Sequence, residues 1–472
     1  MSLTRSVAHN TLYQMAGRLA SIVLALLVFV MVARHLGVDG YGSLTTATAF
    51  LQFFATVVDM GLYVFLAKSL GEPGVDEEAL VSNVFTLRLI SAVVILGLAP
   101  LVVLIFPYPP IVKLAVIALS LSSLFVTLTQ VLAGIFQKTF RTGRFISGEV
   151  IGRMVLVGMT LLAVSRGVGI IGIVWTMVLS SFITFAITAF WARRLVRFRL
   201  AFDAVLWKRI VAMTWPIALS VIFNVVYFKA DTIILSLFYP AYDVGIYGAP
   251  YKVFEAFISF PALFAGLLTP ILATAFLTDR ARFARILQRG FEILLMSALP
   301  IVVVTMFAAR NVMALVAPGF SASAPVLQIL VFGTAAIFLG YLFSNAIVVV
   351  NRQRTMLWTY ASVAVVSLLL YFMFIPRFSY FGAAGVTVAV ECIVAFIGGW
   401  IVLRAGATRL AIGPIMRIAL AALGMAAVMA FCIALPWYVN VCIGIVAYAV
   451  LILLLRVIDR AVVKEVLARP AI

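Results

Sequence analysis

Five basic side chains, Arg18, Arg88, Arg153, Lys229 and Lys252, sit inside stretches that otherwise read as bilayer-spanning helices. A cation at the centre of a bilayer costs about 2.5–3.5 kcal/mol even on lenient insertion scales, so such residues typically line a cavity and face something anionic. Arginine forks match phosphate oxygens and are not neutralised in place. Arg18, Arg88 and Arg153 each lie about eight residues into the first, third and fifth helices, roughly 12 Å of rise. All three of these helices enter from the cytoplasmic side. Three arginines at one depth describe a cationic collar just inside a cytoplasmic mouth.

Neighbouring carboxylates qualify that collar. Asp59 on the second helix comes down to the same level and is placed to partner one of the arginines. Glu149 stands one turn before Arg153, so that position reads equally as a salt bridge or as a ligand contact. Arg18 and Arg88 have no carboxylate within a turn of their own helix, and the collar rests on those two.

The remaining charges lie elsewhere. Lys229 and Asp231 fall near the outer end of the seventh helix, and Lys252 and Glu255 near the outer start of the eighth, where i, i+3 spacing lets them neutralise each other. Asp231 continues a polar stripe of Ser220, Asn224 and Tyr227. Lys229 points nearly opposite in a regular helix. Either it snorkels outward or the helix is distorted after Pro216. Glu391 stands alone near mid-depth of the twelfth helix, as a carrier of a coupling proton or as a protonated residue hydrogen-bonded in the core. These five residues with Asp59 make up the coupling or gating set: Asp59, Lys229, Asp231, Lys252, Glu255 and Glu391.

The elements that must position these groups follow from composition. The chain has 472 residues, 65% hydrophobic and 11% charged, with a mean hydropathy of +1.22. No soluble fold hides that much apolar surface, so the class is an all-α polytopic membrane protein. Apolar runs of about 20 residues give roughly fourteen helices. The first run is too long for a signal-peptide core and lacks a small-residue cleavage site, so it is expected to be retained.

A net charge of +18 raises a nucleic-acid reading. The distribution rejects it, because Lys and Arg concentrate at the termini and in the even-numbered loops, including the run Arg193, Arg194, Arg197, Arg199, Lys208 and Arg209. That alternation is the positive-inside rule, and it places both termini in the cytoplasm. Cys392, Cys432 and Cys442 lie within spans as small core hydrophobes rather than as a disulfide or metal site. No phosphate loop, dinucleotide fingerprint or zinc motif is present, so neither a cofactor nor a metal is expected, and the chain does not read as an enzyme.

The sequence also repeats itself. Arg34-His-Leu-Gly-Val-Asp-Gly-Tyr-Gly-Ser after the first helix matches Pro240-Ala-Tyr-Asp-Val-Gly-Ile-Tyr-Gly-Ala after the seventh, at an offset of 206. At that offset Gln14, Arg18 and Ser21 fall on Ser220, Asn224 and Tyr227, each set on one helical face. Helices one to six and seven to twelve therefore read as parallel repeats related by an axis along the membrane normal. The expected organisation is an N-lobe over 1–192, a basic cytoplasmic linker over 193–210, a C-lobe over 211–403, and a final helix pair with a cytoplasmic tail over 404–472. Polar stripes on matching helices suit an alternating-access transporter, or serve as interhelical glue.

Several of these strings, in order, resemble one family. They are Asn10…Arg34-His-Leu-Gly…Gly40-Tyr-Gly42, Asp59-Met-Gly-Leu62, and Phe228-Lys-Ala-Asp231-Thr…Val244-Gly-Ile-Tyr-Gly248…Lys252…Glu255…Pro261…Pro270. They look like the polysaccharide-transporter branch of the MOP superfamily, the Wzx-type flippases. The likeness covers essentially the whole chain. It implies a bacterial inner-membrane flippase that moves an undecaprenyl-pyrophosphate-linked oligosaccharide, an O-antigen or exopolysaccharide repeat unit, to the periplasmic leaflet. It also implies a cationic central cavity, coupling to H⁺, Na⁺ or the membrane potential, and work beside a polysaccharide polymerase or co-polymerase.

The positions that match this cavity are Arg18, Arg88 and Arg153, with Gln14, Asn224 and Tyr227 offering uncharged contacts for sugar. Two relatives compete with this reading. A lipid II flippase shares the architecture. A multidrug/cation antiporter is expected to have a carboxylate-rich cavity, against which three buried arginines argue.

Overall fold

The computed structural model describes residues 3–457 apart from 60, 73 and 140; side chains at 3–15, 64, 68, 216, 217, 220, 224, 227, 228 and 259 lie outside the description. Thirteen α-helices are present among the described residues. They are α1 (Leu3–Asp59), α2 (Leu62–Ser69), α3 (Glu77–Ile105), α4 (Pro110–Lys138), α5 (Thr142–Ser165), α6 (Ile170–Arg193), α7 (Ala204–Phe238), α8 (Ala241–Thr278), α9 (Arg280–Val316), α10 (Ala324–Val349), α11 (Gln353–Ala405), α12 (Ile412–Phe431) and α13 (Trp437–Leu454). A short 3₁₀ turn over Pro318–Ser323 leads into α10.

Among the described residues, eleven helices are long and apolar enough to cross a membrane. Two of these, α1 and the 53-residue α11, exceed the length of one span and each is interrupted by a single residue with positive φ, Gly37 (φ 67°) and Ser379 (φ 50°). Each therefore supplies two spans, and the 35-residue α7 completes the expected fourteen. Pro250, Pro261 and Pro270 lie within a continuous α8, and Pro300 within α9. The few acids between spans work as helix caps: Asp76, Asp203 and Asp279 accept from the backbone N–H groups that open α3, α7 and α9.

The helices form two compact units, Met1–Gly248 and Ala249–Ile472. The division falls inside α8, not in the 193–210 segment expected to link the lobes. The physical reason is visible on α3. Ser82 Oγ accepts from Arg199 N at 3.2 Å, Thr86 Oγ1 from Ala201 N at 3.0 Å, and Asn83 Oδ1 from Asp203 N at 2.8 Å. Asn83 also accepts from the Trp207 indole at 3.1 Å. Alternate N–H groups of an extended segment are thus strapped to one helix face. Val196, Phe198 and Ile210 join the apolar core built by α2, α3, α4 and α6. The basic segment is part of the first unit.

The second unit repeats the device. Gln288 on α9 accepts from Ala411 N at 2.9 Å through its Oε1 and donates to Glu292 at 2.7 Å. Gln288 lies 206 residues after Ser82, so the acceptor side chains on the two helices stand at the repeat offset. Within this unit α10 packs on α9 and α11, while α12 and α13 pack on each other and on α9.

The matching Tyr-Gly turns meet within the first unit. A Cβ on Gly42 would collide with the Ala241 carbonyl and Gly245 N, and one on Gly245 with the Val38 carbonyl. The contact is backbone on backbone and only glycine permits it. Beside it, Asp231 is fully buried and accepts from the Tyr247 hydroxyl and from Thr232 N and Oγ1.

Candidate functional site

The second arm of α1 is where the site begins. It ends at Asp59, and α2 restarts at Leu62 after Gly61 (φ 66°). The second span, expected to run unbroken through 66, is therefore broken within the membrane protein's interior. A helix end leaves its last carbonyls without partners, and here a buried cation answers them. Arg88 of α3, 0% exposed, donates from Nη1 to Val58 O at 2.7 Å, from Nη2 to Asp59 Oδ1 at 2.8 Å and from Nε to Thr127 O at 3.3 Å. Its Nη2 also reaches Gln130 Oε1 at 3.4 Å. All three guanidinium nitrogens are bonded within the first unit.

In front of this anchor lies a cavity of about 610 Å³, enclosed by the second arm of α1, by α4, α5 and α6, and by one face of α7. Its wall is largely apolar, with hydroxyl and amide groups set into it. Thr48, Gln52 and Thr56 descend α1 at intervals of four to reach Asp59; Ser122, Ser123, Thr127 and Gln130 contribute from α4; Ser180, Ser181 and Thr184 from α6. Ser122 and Ser181 hydroxyls meet across α4 and α6 at 2.8 Å, and Ser180 Oγ donates to Gly152 O at 2.8 Å. Gly152 brings α5 close enough to α6 that a Cβ would strike Thr184.

Three charged side chains line the cavity among the described residues: Asp59, Glu149 and Arg153. Asp59 is 33% exposed, while its partner Arg88 behind the wall is 1% exposed. Arg153 is half-buried and makes no hydrogen bond or ion pair within 4 Å among the described residues, with Glu149 and Arg18 near enough to act on it electrostatically. Arg18 is exposed on the first arm of α1, next to Gly17, which packs on Ile146 of α5.

The expected collar, resting on Arg18 and Arg88 with Arg153 as a salt bridge or ligand contact, is thus not what the geometry shows. Arg88 is sealed behind the end of α1, held by four acceptors on α1 and α4. Arg153 is on the wall, and Arg18 lies beside it. Asp59 takes the partner role foreseen for it. The charge argument against a cation antiporter weakens accordingly, because the wall holds two carboxylates and one arginine.

The other expected positions separate. The side chains of Gln14, Asn224 and Tyr227 lie outside the described residues, although Val221 and Val225 on the same helix line the cavity. Lys229 is buried, 9% exposed, and does not snorkel; its charge acts on Asp231. Lys252 and Glu255 pair at 2.9 Å. Glu391 belongs to the second unit and is 6% exposed, with Tyr360, itself bonded to Ser344 at 3.1 Å, within electrostatic reach. The Thr48–Gln52–Thr56 stripe and Gln130 were missed by sequence reasoning, although the i, i+4 rule that found the stripes on the first and seventh helices applies equally to the second.

Comparison with known proteins adds a family and a fold. Residues 7–276 match the family model described as "Polysaccharide biosynthesis protein". No curated protein matches the sequence. Among solved structures, the lipid II flippase MurJ in an inward closed conformation superposes with a TM-score of 0.77 at 15% identity, over 97% of this chain and 100% of that one. An inward-facing multidrug resistance MATE family transporter of the MOP superfamily gives 0.67 at 14% identity, over 82% and 95%. A MOP superfamily transporter from Pyrococcus furiosus gives 0.58 at 15% identity, over 85% and 96%. The shared feature at these identities is the fold, an all-helical architecture of many long apolar helices.

Proposed function

Because the chain belongs to the polysaccharide biosynthesis protein family, we propose that it is a flippase for an undecaprenyl-pyrophosphate-linked oligosaccharide in the bacterial inner membrane, with both termini cytoplasmic. The observation that carries the reading is the cavity within spanning helices, bordered by hydroxyl and amide groups and by an arginine that has no bonded partner among the described residues. A sugar headgroup needs hydroxyl and amide partners, and the wall supplies them from α1, α4 and α6. A pyrophosphate needs a fork-shaped cation, and Arg153 with Arg18 beside it supports that role. The lipid tail stays in the bilayer.

Alternating access moves the opening from one leaflet to the other, with Glu391 as the proposed carrier of a coupling proton. Lipid II transport is the second reading, favoured by the near-complete superposition on a lipid II flippase.

The test is Arg153→Ala and Arg18→Ala in cells whose surface glycan depends on this chain. Both variants are expected to insert in the membrane at normal levels and to lose glycan display. Normal display in both variants refutes the assignment. Rescue of a strain lacking its lipid II flippase, without rescue of glycan display, moves the assignment to the second reading.

A further inference from the structure

The basic segment strapped to α3 turns an uncovered edge outward. It joins the end of α6 at Arg193 to the start of α7 at Ala204, and the ends of apolar spans lie at the level of the lipid headgroups. The run 193–209 holds six basic side chains, Arg193, Arg194, Arg197, Arg199, Lys208 and Arg209, against one carboxylate, Asp203. All six are exposed. Asp203 is occupied in capping α7, where it accepts from Val205 N and Leu206 N. At the start of α3, Asp76 caps the helix and Glu77 pairs with Lys138. Glu72 and Glu78 remain there, too few to offset six cations. Arg193 and Arg194 lie over the Phe198 and Phe190 rings at 5.4 and 4.3 Å. Arg197, Arg199, Lys208 and Arg209 make no ion pair or ring contact among the described residues.

Apolar side chains stand out between these cations. Leu200, Phe202 and Val205 are 66%, 70% and 81% exposed, and Phe202 meets Trp207 edge-on at 4.7 Å. A free loop would turn such side chains inward. Here the amides of 199, 201 and 203 are bonded to α3 and the cap at Asp203 fixes the next turn, so the side chains are held outward. We propose that this segment is a binding surface for anionic phospholipid headgroups. Basic clusters directly beside a spanning helix attract anionic lipid, and arginine forks suit its phosphate oxygens. Leu200, Phe202 and Val205 enter the boundary of the acyl chains, the arrangement of an interfacial element with cations above and apolar groups below. An acidic protein or a nucleic acid answers the cations but offers no apolar layer beneath them. The strap has already ordered the backbone, so little conformational freedom is lost on binding.

Native mass spectrometry of the full chain in neutral detergent tests this, with phosphatidylglycerol and phosphatidylcholine of equal chain length as the probes. Phosphatidylglycerol is expected to associate more tightly. Each basic residue near an anionic surface contributes roughly fivefold, so Arg197→Gln with Arg199→Gln is expected to weaken phosphatidylglycerol on the order of tenfold or more and to leave phosphatidylcholine unchanged. Lys208→Gln with Arg209→Gln is expected to act alike. Arg310→Gln with Arg377→Gln removes the same charge from exposed positions of the second unit and is expected to keep the wild-type preference. No preference in the wild type, or an equal loss in the second-unit pair, overturns the inference. Hydrogen exchange of the full chain in nanodiscs supplies a second reading: the amides of 200 and 202 are expected to exchange more slowly with phosphatidylglycerol present than in phosphatidylcholine alone. Equal exchange in the two compositions counts against lipid. Protection in native membranes beyond that in either nanodisc places a partner protein on the segment and likewise overturns the proposal.

Discussion

Replacing Arg88 by methionine isolates what this residue does. The substitution keeps much of the side chain's apolar length and removes a guanidinium that bonds Val58 O, Asp59 and Thr127 O. Breaking a buried ion pair from one side costs about 3–5 kcal/mol, because the remaining charge is left without a partner. Here the remaining charge is Asp59, whose side chain is 33% exposed to the cavity, so partial hydration places the cost near the lower end, about 3 kcal/mol. Adding Asp59→Leu removes the stranded carboxylate and is expected to recover more than half of the loss. Arg88→Lys keeps the charge but not the fork, and is expected to fall between wild type and Arg88→Met. Equilibrium unfolding in mixed micelles measures all three. A cost below about 1 kcal/mol for Arg88→Met, or a double variant as unstable as the single one, would refute the anchor; a cost of about 1 kcal/mol is what a single ordinary hydrogen bond contributes.

Two further perturbations probe the scaffold. Asn83→Ala removes three bonds, from Asp203 N and the Trp207 indole and to Ala79 O, and is expected to cost about 3 kcal/mol at roughly 1 kcal/mol per bond; hydrogen exchange at the amides of 199, 201 and 203 is expected to accelerate while that of α9 stays unchanged. Gly42→Ala drives a methyl group into the backbone at Ala241 and Gly245, which cannot rotate away, so folded yield in size-exclusion chromatography is expected to collapse. Gly158→Ala, which meets nothing within 4 Å, is the matched control and is expected to behave as wild type.

Much of the architecture was legible because a bilayer restricts the choices: apolar runs of span length become helices. The duplication was legible too, since its turns need glycine where two backbones touch, and glycine at fixed spacing leaves a visible string. Arg88 shows where that reading stops. Depth along a helix is a one-dimensional coordinate, and three arginines at one depth look alike in it. Which way each points depends on the partner helices, and the break at Gly61 that exposes Val58 and Asp59 to Arg88 lies inside what reads as an uninterrupted apolar span. The linker fails for a related reason. A run of arginines between spans reads as a loose cytoplasmic loop, whereas three small polar residues on α3, unremarkable as Ser82, Asn83 and Thr86, take up its backbone donors.

That strap bears on how the chain withstands being cut or extended. Arg193, Arg194, Arg197, Arg199, Lys208 and Arg209 make the segment the obvious place for trypsin to sever the lobes. Yet a protease must draw several residues of extended backbone into its own cleft, and here alternate amides of 199–203 are already paired with α3. An inserted tag or reporter domain faces the same obstacle, since lengthening the segment by even one residue puts the following amides out of step with their acceptors. The most basic stretch of the molecule is therefore a poor place to open it, and the turn after α11, on the matching strap of the second unit, is a poor second choice.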